Sequence, residues 1–279
     1  MKKIAFVLVT LLFTGVFAAG CTACVDKEIR YAEAERCTMD IYYPSTVRKS
    51  MPFVLMIHGG GWTAGDKSSY KGIAESFCDN GFAVVSINYS YASESTHYQT
   101  IMNEITKALS YIKKNAKELR LDARKTALMG HSAGGHLSLL YAYSRQSPVD
   151  IQFVVSMAGS TDFTANGYPE VMNAGYYNIL SCLTGASFDG NGGYPAEWFD
   201  ASPIKYVTPS SPKTIMMHGV NDDIVPYENS AALCAKLNEA GVENVLFTYP
   251  NSGHGLDNDK KINDAAYKKI FGYARRYLK

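Results

Sequence analysis

The chain has 279 residues, a formal net charge of +1 and 47% hydrophobic residues. Its length favours one large domain, which would bury about three quarters of the surface of the unfolded chain. A near-zero charge without a basic cluster excludes the usual signature of a nucleic-acid-binding protein. The six cysteines have neither disulfide-framework nor zinc-site spacing, so we expect no metal and no cofactor. The composition does not set the oligomeric state.

The first twenty residues have the pattern of an export signal. Two lysines precede an apolar run, and small residues follow it. The run is short for a membrane span, which needs about 20 residues. Cys21 stands where a bacterial lipoprotein is acylated, although Ala18 replaces the usual Leu of such signals. We expect residues 1–20 to be removed. The remaining chain, 21–279, is then either secreted or anchored by lipid at Cys21 to the outer face of a bacterial membrane.

Beyond this signal, the hydrophobic pattern predicts strands alternating with helices. Two early strands, 28–32 and 38–43, form a predicted hairpin at a sheet edge. Apolar runs typical of buried parallel strands follow at 53–58, 82–87, 125–129, 151–157, 214–218 and 244–249. Helical patterns cover 101–112, 136–145 and 229–240, with Gly241 as a left-handed stop, and a last helix ends near 277. This order predicts one α/β domain with a mostly parallel sheet of about eight strands flanked by helices.

One segment, Ser160–Val207, interrupts the alternation. It is rich in Gly, Tyr, Asn and Pro, and it is too long for an ordinary connection. We interpret it as a short lid or cap inserted into the domain.

The pentapeptide Gly130–Gly134, which reads G-H-S-A-G, lies between a predicted strand and a predicted helix. In that context a G-x-S-x-G sequence forms a nucleophile elbow, in which a tight turn holds the serine in a strained conformation. Glycines flank the serine because a larger side chain would collide with the strand or helix. Ser132 is therefore the predicted nucleophile.

A serine nucleophile needs a base and a carboxylate that orients the base. His254 follows the last predicted strand on a glycine-flanked loop, and Asp222 follows the strand before it. Asp223 and the more distant Asp162 are alternatives to Asp222. The order Ser, Asp, His is that of α/β-hydrolases, and we predict Ser132, Asp222 and His254 as the catalytic triad.

The glycine-rich segment His58–Trp62 is predicted to complete the site. Consecutive glycines let backbone N–H groups approach a substrate, and we assign an oxyanion hole to the amides of Gly60, Gly61 and Ala133. Phosphate binding is the competing interpretation, but the chain lacks the phosphate-loop and dinucleotide-binding glycine patterns. Trp62 is predicted to line the substrate pocket, with plain packing as the alternative.

Together these motifs resemble the hormone-sensitive-lipase-like branch of the α/β-hydrolase superfamily. The resemblance covers Met39 to the C-terminus. Three further segments make the resemblance more specific: residues 40–44 (D-I-Y-Y-P), 62–67 (W-T-A-G-D-K) and 132–137 (S-A-G-G-H-L). They are similar to those of small carboxylesterases and of carbohydrate esterases that remove acetyl or feruloyl groups from plant polysaccharides. The resemblance implies a serine hydrolase that acts on carboxylic esters.

Two departures from the family pattern bear on the site. The family often has D-Y-R-L after the strand at 82–87, where residues 88–91 read N-Y-S-Y. Lipase-like members also often carry a helical N-terminal cap, for which the chain after the signal leaves no room. We therefore expect an open, shallow site suited to small acyl groups on bulky alcohols.

The favoured hypothesis is an exported serine esterase whose substrate is a small-molecule or carbohydrate ester. An amidase or arylformamidase would use the same triad, and a panel of ester and amide substrates separates these activities. A surface-binding protein that has lost catalysis is the alternative outside enzymes. Such a protein would not react with a fluorophosphonate probe of active serines.

Overall fold

The computed structural model of the chain describes residues 24–47, 49–164, 174–188 and 193–279. The predicted export signal, 1–20, and Cys21 lie outside these ranges, as does part of the Ser160–Val207 segment. In the described part of the chain, every helix is too short or too polar to span a bilayer.

Eight strands form one sheet, in the spatial order β1-β2-β4-β3-β5-β6-β7-β8. The first two pairs in that order, β1 with β2 and β2 with β4, are antiparallel, and all later pairs are parallel. The strands are β1 Cys24–Arg30, β2 Thr38–Tyr43, β3 Met51–Ile57, β4 Ala83–Ile87, β5 Leu121–His131, β6 Asp150–Met157, β7 Lys213–Gly219 and β8 Asn244–Tyr249.

Seven α-helices accompany the sheet within the described ranges. They are α1 Lys71–Asp79, α2 Tyr98–Lys114, α3 Ala133–Ser144, α4 Ala174–Thr184, α5 Ala196–Asp200, α6 Glu228–Glu239 and α7 Lys260–Tyr277. Short 3₁₀ turns cover Lys67–Tyr70 and Pro203–Tyr206. This is the α/β-hydrolase architecture that the motifs predicted.

Alternating side chains of each central strand divide the core into two layers. In β3, Leu55 packs into the layer that holds the apolar faces of α2, α3 and α6. Its neighbour Val54 packs into the layer beneath α1 and α7. Both side chains are almost fully buried, at 0% and 1% exposure. Strands covered on both faces read as continuous apolar runs, which explains why the sequence pattern located them.

The predicted boundaries of β2 and β8 agree with the structure to the residue. Gly241 has φ +71°, in keeping with its predicted role as the stop after α6. Helix α3 starts at Ala133, three residues earlier than predicted, because the helix begins directly after the elbow serine.

Backbone hydrogen bonds continue past the carboxyl ends of the parallel strands. The amide of Ser132 donates to the carbonyl of Met157 over 2.8 Å, and that of Ala158 donates to Met217 over 2.8 Å. The amide of Val220 likewise donates to Tyr249 over 2.9 Å. The first residues after β5, β6 and β7 are thus each bonded to the neighbouring strand at this edge of the sheet.

Candidate active site

Ser132 lies in a sharp turn between β5 and α3. Its backbone has φ 55° and ψ −123°, a conformation that side-chain-bearing residues rarely adopt. A Cβ atom on Gly134 would lie 1.8 Å from the carbonyl oxygen of Ile57, and one on Gly130 would lie 2.3 Å from the carbonyl carbon of Gly134. Glycine is therefore required on both sides of the serine. The partly exposed Ser132 stands directly before the first amide of α3.

The loops after β7 and β8 bring Asp222 and His254 together. Oδ2 of Asp222 lies 2.8 Å from Nδ1 of His254. The ionised carboxylate can only accept, so Nδ1 carries the proton and Nε2 of the neutral ring is left as a base. The Asp222 side chain is fully buried, whereas that of His254 is 14% exposed. Asp223, the alternative carboxylate, is exposed to solvent.

Four donors surround the Asp222 carboxylate. The amides of Ile224 and Val225 donate to Oδ1, each over 2.9 Å, and His254 donates to Oδ2. Nε2 of His218 lies 3.2 Å from Oδ2. Burial alone would raise the pKa of Asp222, but the hydrogen bonds from His218 and His254 hold it well below its usual range. Asp222 is therefore a stable anion beside the base.

The contact of His218 with the carboxylate was not predicted from the sequence. Its ring is fully buried, and Nε2 also lies 2.9 Å from the carbonyl oxygen of Val225. Since that oxygen can only accept, Nε2 carries the proton and shares it between Val225 and Asp222. Nδ1 lies 2.6 Å from Oγ of Ser230 and accepts its hydrogen. His218 belongs to β7 and Asp222 to the turn after it, so no helical or strand periodicity in the sequence marked this contact.

His131, next to the serine, joins the elbow to the base. Its Nε2 donates to the backbone carbonyl of His254 over 2.8 Å, and the two ring centroids lie 4.8 Å apart. Burial, followed by the electrostatic effect of the nearby His254 imidazole, lowers the pKa of His131 to about 3. A neutral His131 therefore ties the loop that carries His254 to the elbow.

The glycine-rich loop after β3 packs directly against the elbow. A Cβ atom on Gly59 would lie 2.7 Å from the carbonyl oxygen of His131 and 3.4 Å from Cβ of Ser132. Gly60 and Gly61 have φ values of 117° and 58°. Within the described ranges, no hydrogen bond is formed by the amides of Gly60, Gly61 or Ala133, which leaves all three able to donate to a ligand.

Trp62, predicted to line the substrate pocket, is only 3% exposed. Its ring packs edge-on against His136 and Phe163, at centroid distances of 5.2 and 5.7 Å. Its indole N–H donates to Nδ1 of His136. So little of the side chain reaches solvent that the structure favours the packing interpretation of Trp62.

Arg36, from the connection between β1 and β2, supports the glycine loop and was not singled out from the sequence. Its guanidinium donates to the carbonyl oxygens of Gly65 and Tyr89, each over 3.0 Å, and lies 3.7 Å from the ring centroid of Tyr91. Tyr89 stacks on His58 at 4.2 Å and donates from its hydroxyl to the His58 carbonyl over 2.9 Å. The two tyrosines of the N-Y-S-Y departure thus brace the loop that begins at His58.

The motif residues Asp40 and Lys67 belong to the scaffold. Nζ of Lys67 contacts a carboxylate oxygen of Glu28 and lies 3.4 Å from Oδ1 of Asp40. Lys67 and Asp40 are each 4% exposed, so the cation is buried beside Asp40, whereas Glu28 contacts it from the surface. The group ties the edge hairpin to the segment that leaves the glycine loop, which explains why both motifs accompany the catalytic ones.

Parts of the Ser160–Val207 segment are tied to the body of the domain. The amide of Thr161 donates to Oδ1 of Asn229 in α6 over 2.9 Å, and Nδ1 of His97 donates to the carbonyl of Cys182 over 2.9 Å. Aromatic rings pack around a fully buried tryptophan in this segment: Tyr177, Phe188, Tyr194 and Trp198. These contacts give the segment its own small core, and its role as a lid stays a prediction.

No group of three or more His, Cys, Asp or Glu side chains in the described part of the chain is arranged to hold a metal ion. The chemistry available at this edge of the sheet is that of the serine, the histidine–carboxylate pair and the free amides.

Comparison with known proteins identifies the family of the chain. The sequence model of the BD-FAE family matches residues 39–237, which is more than half of the chain. The chain belongs to the BD-FAE family. The match contains both glycine motifs and Asp222, while His254 lies beyond it.

Several relatives and structures similar to this BD-FAE protein carry esterase names. A probable carboxylic ester hydrolase, LipM of Mycobacterium tuberculosis, is 26% identical over 83% of this chain and 56% of its own length. The chain spans about half the length of the first curated relatives that it matches.

Solved structures share the fold. A truncated carbohydrate esterase from gut microbiota has a TM-score of 0.71 at 21% identity, covering 91% of this chain and 97% of that one. Esterase B from Lactobacillus rhamnosis has a TM-score of 0.75 at 20% identity, covering 91% and 87%. At such identities the likeness establishes the α/β-hydrolase fold that the sequence predicted.

Proposed function

We propose that the protein is an exported serine esterase that hydrolyses carboxylic esters through an acyl-enzyme. The observation that carries the proposal is the 2.8 Å contact between His254 and Asp222, together with the hydrogen bond that ties the His254 loop to the elbow that presents Ser132. The names of the curated relatives support an ester substrate.

In the proposed mechanism, Nε2 of His254 takes the hydroxyl proton of Ser132 as the oxygen attacks the ester carbonyl. The amides of Gly60, Gly61 and Ala133 donate to the oxyanion as it forms, and each such donor contributes about 3–4 kcal/mol in the transition state. The His254 imidazolium then protonates the departing alcohol.

Water completes the reaction by attacking the acyl-enzyme, with His254 again accepting a proton and Ser132 leaving as the free hydroxyl. Asp222 remains ionised throughout, because four donors stabilise its charge. It keeps the proton on Nδ1 of His254 and stabilises the imidazolium.

The proposed substrate is an acylated carbohydrate, such as an acetylated or feruloylated plant polysaccharide or oligosaccharide. One structural neighbour, a carbohydrate esterase from gut microbiota, and the sequence resemblance support this choice. A small-molecule ester or an arylformamide would be attacked by the same groups, so the substrate panel must contain both.

The experiment is hydrolysis of acetyl, feruloyl and amide substrates and of acetylated xylan by residues 21–279, beside Ser132→Ala. We expect release of acid from xylan by the wild type and none by the variant. If only synthetic acetate is hydrolysed, the proposed substrate would be a small-molecule ester and not a polysaccharide. Equal activity of the Ser132→Ala variant would refute the mechanism, and failure of a fluorophosphonate to label folded wild-type protein would point to a binding protein.

We also propose that residues 1–20 direct export and that Cys21 is the site of lipid attachment. The charged, apolar and small-residue order of this segment supports the proposal. Expression of the full chain in a bacterium with a radiolabelled fatty acid, beside Cys21→Ser, tests it. Labelling of the wild type alone is expected, and an unlabelled protein in the culture medium would favour secretion.

A further inference from the structure

Two motifs of the chain meet in one hydrogen bond that the proposed mechanism does not use. Nε1 of Trp62, at the end of the glycine loop, donates to Nδ1 of His136 over 3.0 Å. On the other side of the ring, Nε2 of His136 lies 2.7 Å from the carbonyl oxygen of Ala201. The indole can only donate and the carbonyl can only accept, so the imidazole is neutral with its proton on Nε2.

This hydrogen-bonded chain connects three parts of the protein. Trp62 belongs to the glycine loop, His136 to the first turn of α3, and Ala201 to the Ser160–Val207 segment. The amide of His136 also donates to the carbonyl of Ser132 over 3.0 Å, which places the ring one helical turn from the nucleophile.

The junction is dry and tightly packed. The exposed fraction is 3% for Trp62 and 0% for both His136 and Phe163. The rings of His136 and Phe163 lie 4.9 Å apart, and both contact the indole. Burial lowers the pKa of His136 to about 4, so the ring keeps its acceptor nitrogen for Trp62 at neutral pH.

The backbone of the glycine loop needs such support. Gly60, Gly61 and Trp62 have consecutive φ values of 117°, 58° and 61°. For tryptophan this left-handed conformation is unfavourable and persists only where the surroundings hold it. The indole hydrogen bond and the ring contacts are such restraints, and a shift of Trp62 would turn the adjoining amides of Gly60 and Gly61.

We propose that His136 is a positioning residue for the oxyanion hole. Through Trp62 it fixes the direction of the Gly60 and Gly61 amides, and through Ala201 it fixes the inserted segment to the helix that follows Ser132. This inference rests on the proposed function, because it assigns a role to residues around the oxyanion site of that mechanism.

Three single variants separate the two hydrogen bonds. Trp62→Phe keeps a ring but removes the indole donor. His136→Gln can place its amide donor near the position of Nε2 and retain the bond to Ala201, while leaving Trp62 without an acceptor. His136→Asn is the matched variant, since its amide oxygen can occupy the position of Nδ1 and accept from Trp62.

We expect Trp62→Phe and His136→Gln to lower kcat by about 10- to 100-fold, because misplacement of transition-state donors costs rate. KM should change by less than about threefold, since the amides act mainly on the transition state. His136→Asn should retain a higher kcat than His136→Gln. The double variant Trp62→Phe/His136→Gln should be no slower than the slower single variant, because both changes remove the same bond.

Each kcat is referred to the concentration of active sites, counted by fluorophosphonate labelling, so that loss of folded protein is not scored as loss of rate. The inference is overturned if Trp62→Phe and His136→Gln keep kcat within about threefold of the wild type. It is also overturned if KM rises while kcat stays constant. An inactive wild-type protein would refute the proposed function, whereas an active wild type with unaffected variants would refute only the positioning role.

Discussion

Nε2 of His218 lies 3.2 Å from Oδ2 of Asp222, the same carboxylate oxygen that contacts His254. One buried oxygen therefore receives hydrogen from two imidazole rings on different elements. The His218 proton is shared with the carbonyl oxygen of Val225, so this ring fixes the position of the carboxylate relative to its own loop. The His254 ring is therefore hydrogen-bonded to a carboxylate that has little freedom to rotate.

Replacing His218 should slow catalysis without removing any group of the proposed triad. We expect His218→Leu to lower kcat/KM by about 10-fold or more, because a hydrogen bond to a charged group contributes about 1.5–3 kcal/mol. His218→Gln, which can still offer an N–H group, should lose less. Steady-state hydrolysis of a synthetic acetate measures both, with thermal melting as the check on folding. A folded His218→Leu variant with unchanged kcat/KM would contradict the assigned role.

Asp222 and its neighbour Asp223 provide a matched pair of substitutions. Asp222→Asn should lower kcat by roughly 10⁴-fold, because an amide in this position no longer favours the Nε2-basic tautomer of His254. Asp223→Asn should leave kcat unchanged, since its side chain is exposed. Each variant removes one negative charge, so a comparison at one pH separates the effect of the position from the effect of net charge. Equal losses in both would show that the assignment of the carboxylate is wrong.

Glycine substitutions should separate the elbow from ordinary helix positions. A Cβ atom on Gly134 would lie 1.8 Å from a backbone oxygen, whereas one on Gly272, inside α7, would meet no atom within 4 Å. We expect Gly134→Ala to destabilise the fold by about 3 kcal/mol or more. Gly272→Ala should stabilise it by about 0.5–1 kcal/mol, because alanine loses less backbone entropy in a helix. Urea unfolding of both variants tests the contrast, which a similar midpoint for the two would contradict.

Three buried histidines should make the fold sensitive to mild acid. Burial lowers the pKa from 6.5 to about 4 in His58 and His136 and to about 3 in His131. Above pH 6.5 these rings are neutral in both states and contribute no pH dependence. As the pH falls from 6.5 towards 4, the unfolded chain takes up protons that the folded chain excludes, so stability is lost. The loss approaches about 1.4 kcal/mol per pH unit for each histidine.

Urea unfolding between about pH 7 and pH 5 measures this slope. His58→Asn is the informative variant, because its amide can replace Nδ1 as donor to Gly59 while removing one titrating ring. Its unfolding free energy should depend less steeply on pH than that of the wild type, by about 1 kcal/mol per unit. Parallel slopes for the two proteins would contradict a neutral, buried His58.

The sequence alone predicted the elements best where local patterns dominate. The apolar runs of buried strands and the glycines of the elbow are local signals, and they located β2, β8 and the turn at Ser132. Strand order also placed Asp222 and His254 at the ends of adjacent strands. Their meeting in the structure follows from that order.

The contacts that support the site could not be predicted from local sequence patterns. Arg36 reaches the glycine loop from the distant edge hairpin, and Trp62 meets His136 across 74 positions of sequence. Such pairs depend on how layers pack in three dimensions, and no periodicity in the chain encodes them. For the same reason the sequence left open whether Trp62 lines the substrate pocket or packs in the core, and in the structure packing covers nearly all of it.

The hydrogen bonds that run across the carboxyl edge, from Ser132 to Met157, from Ala158 to Met217 and from Val220 to Tyr249, have a consequence for motion. They extend the ladder of the sheet into the segments that lead to Ser132 and Asp222. The amides of Ser132, Ala158 and Val220 should therefore exchange with deuterium only when the central sheet opens as a unit. Substrate access would then depend on motion of the surrounding segments, because the backbone that leads to Ser132 and Asp222 moves only with the central sheet.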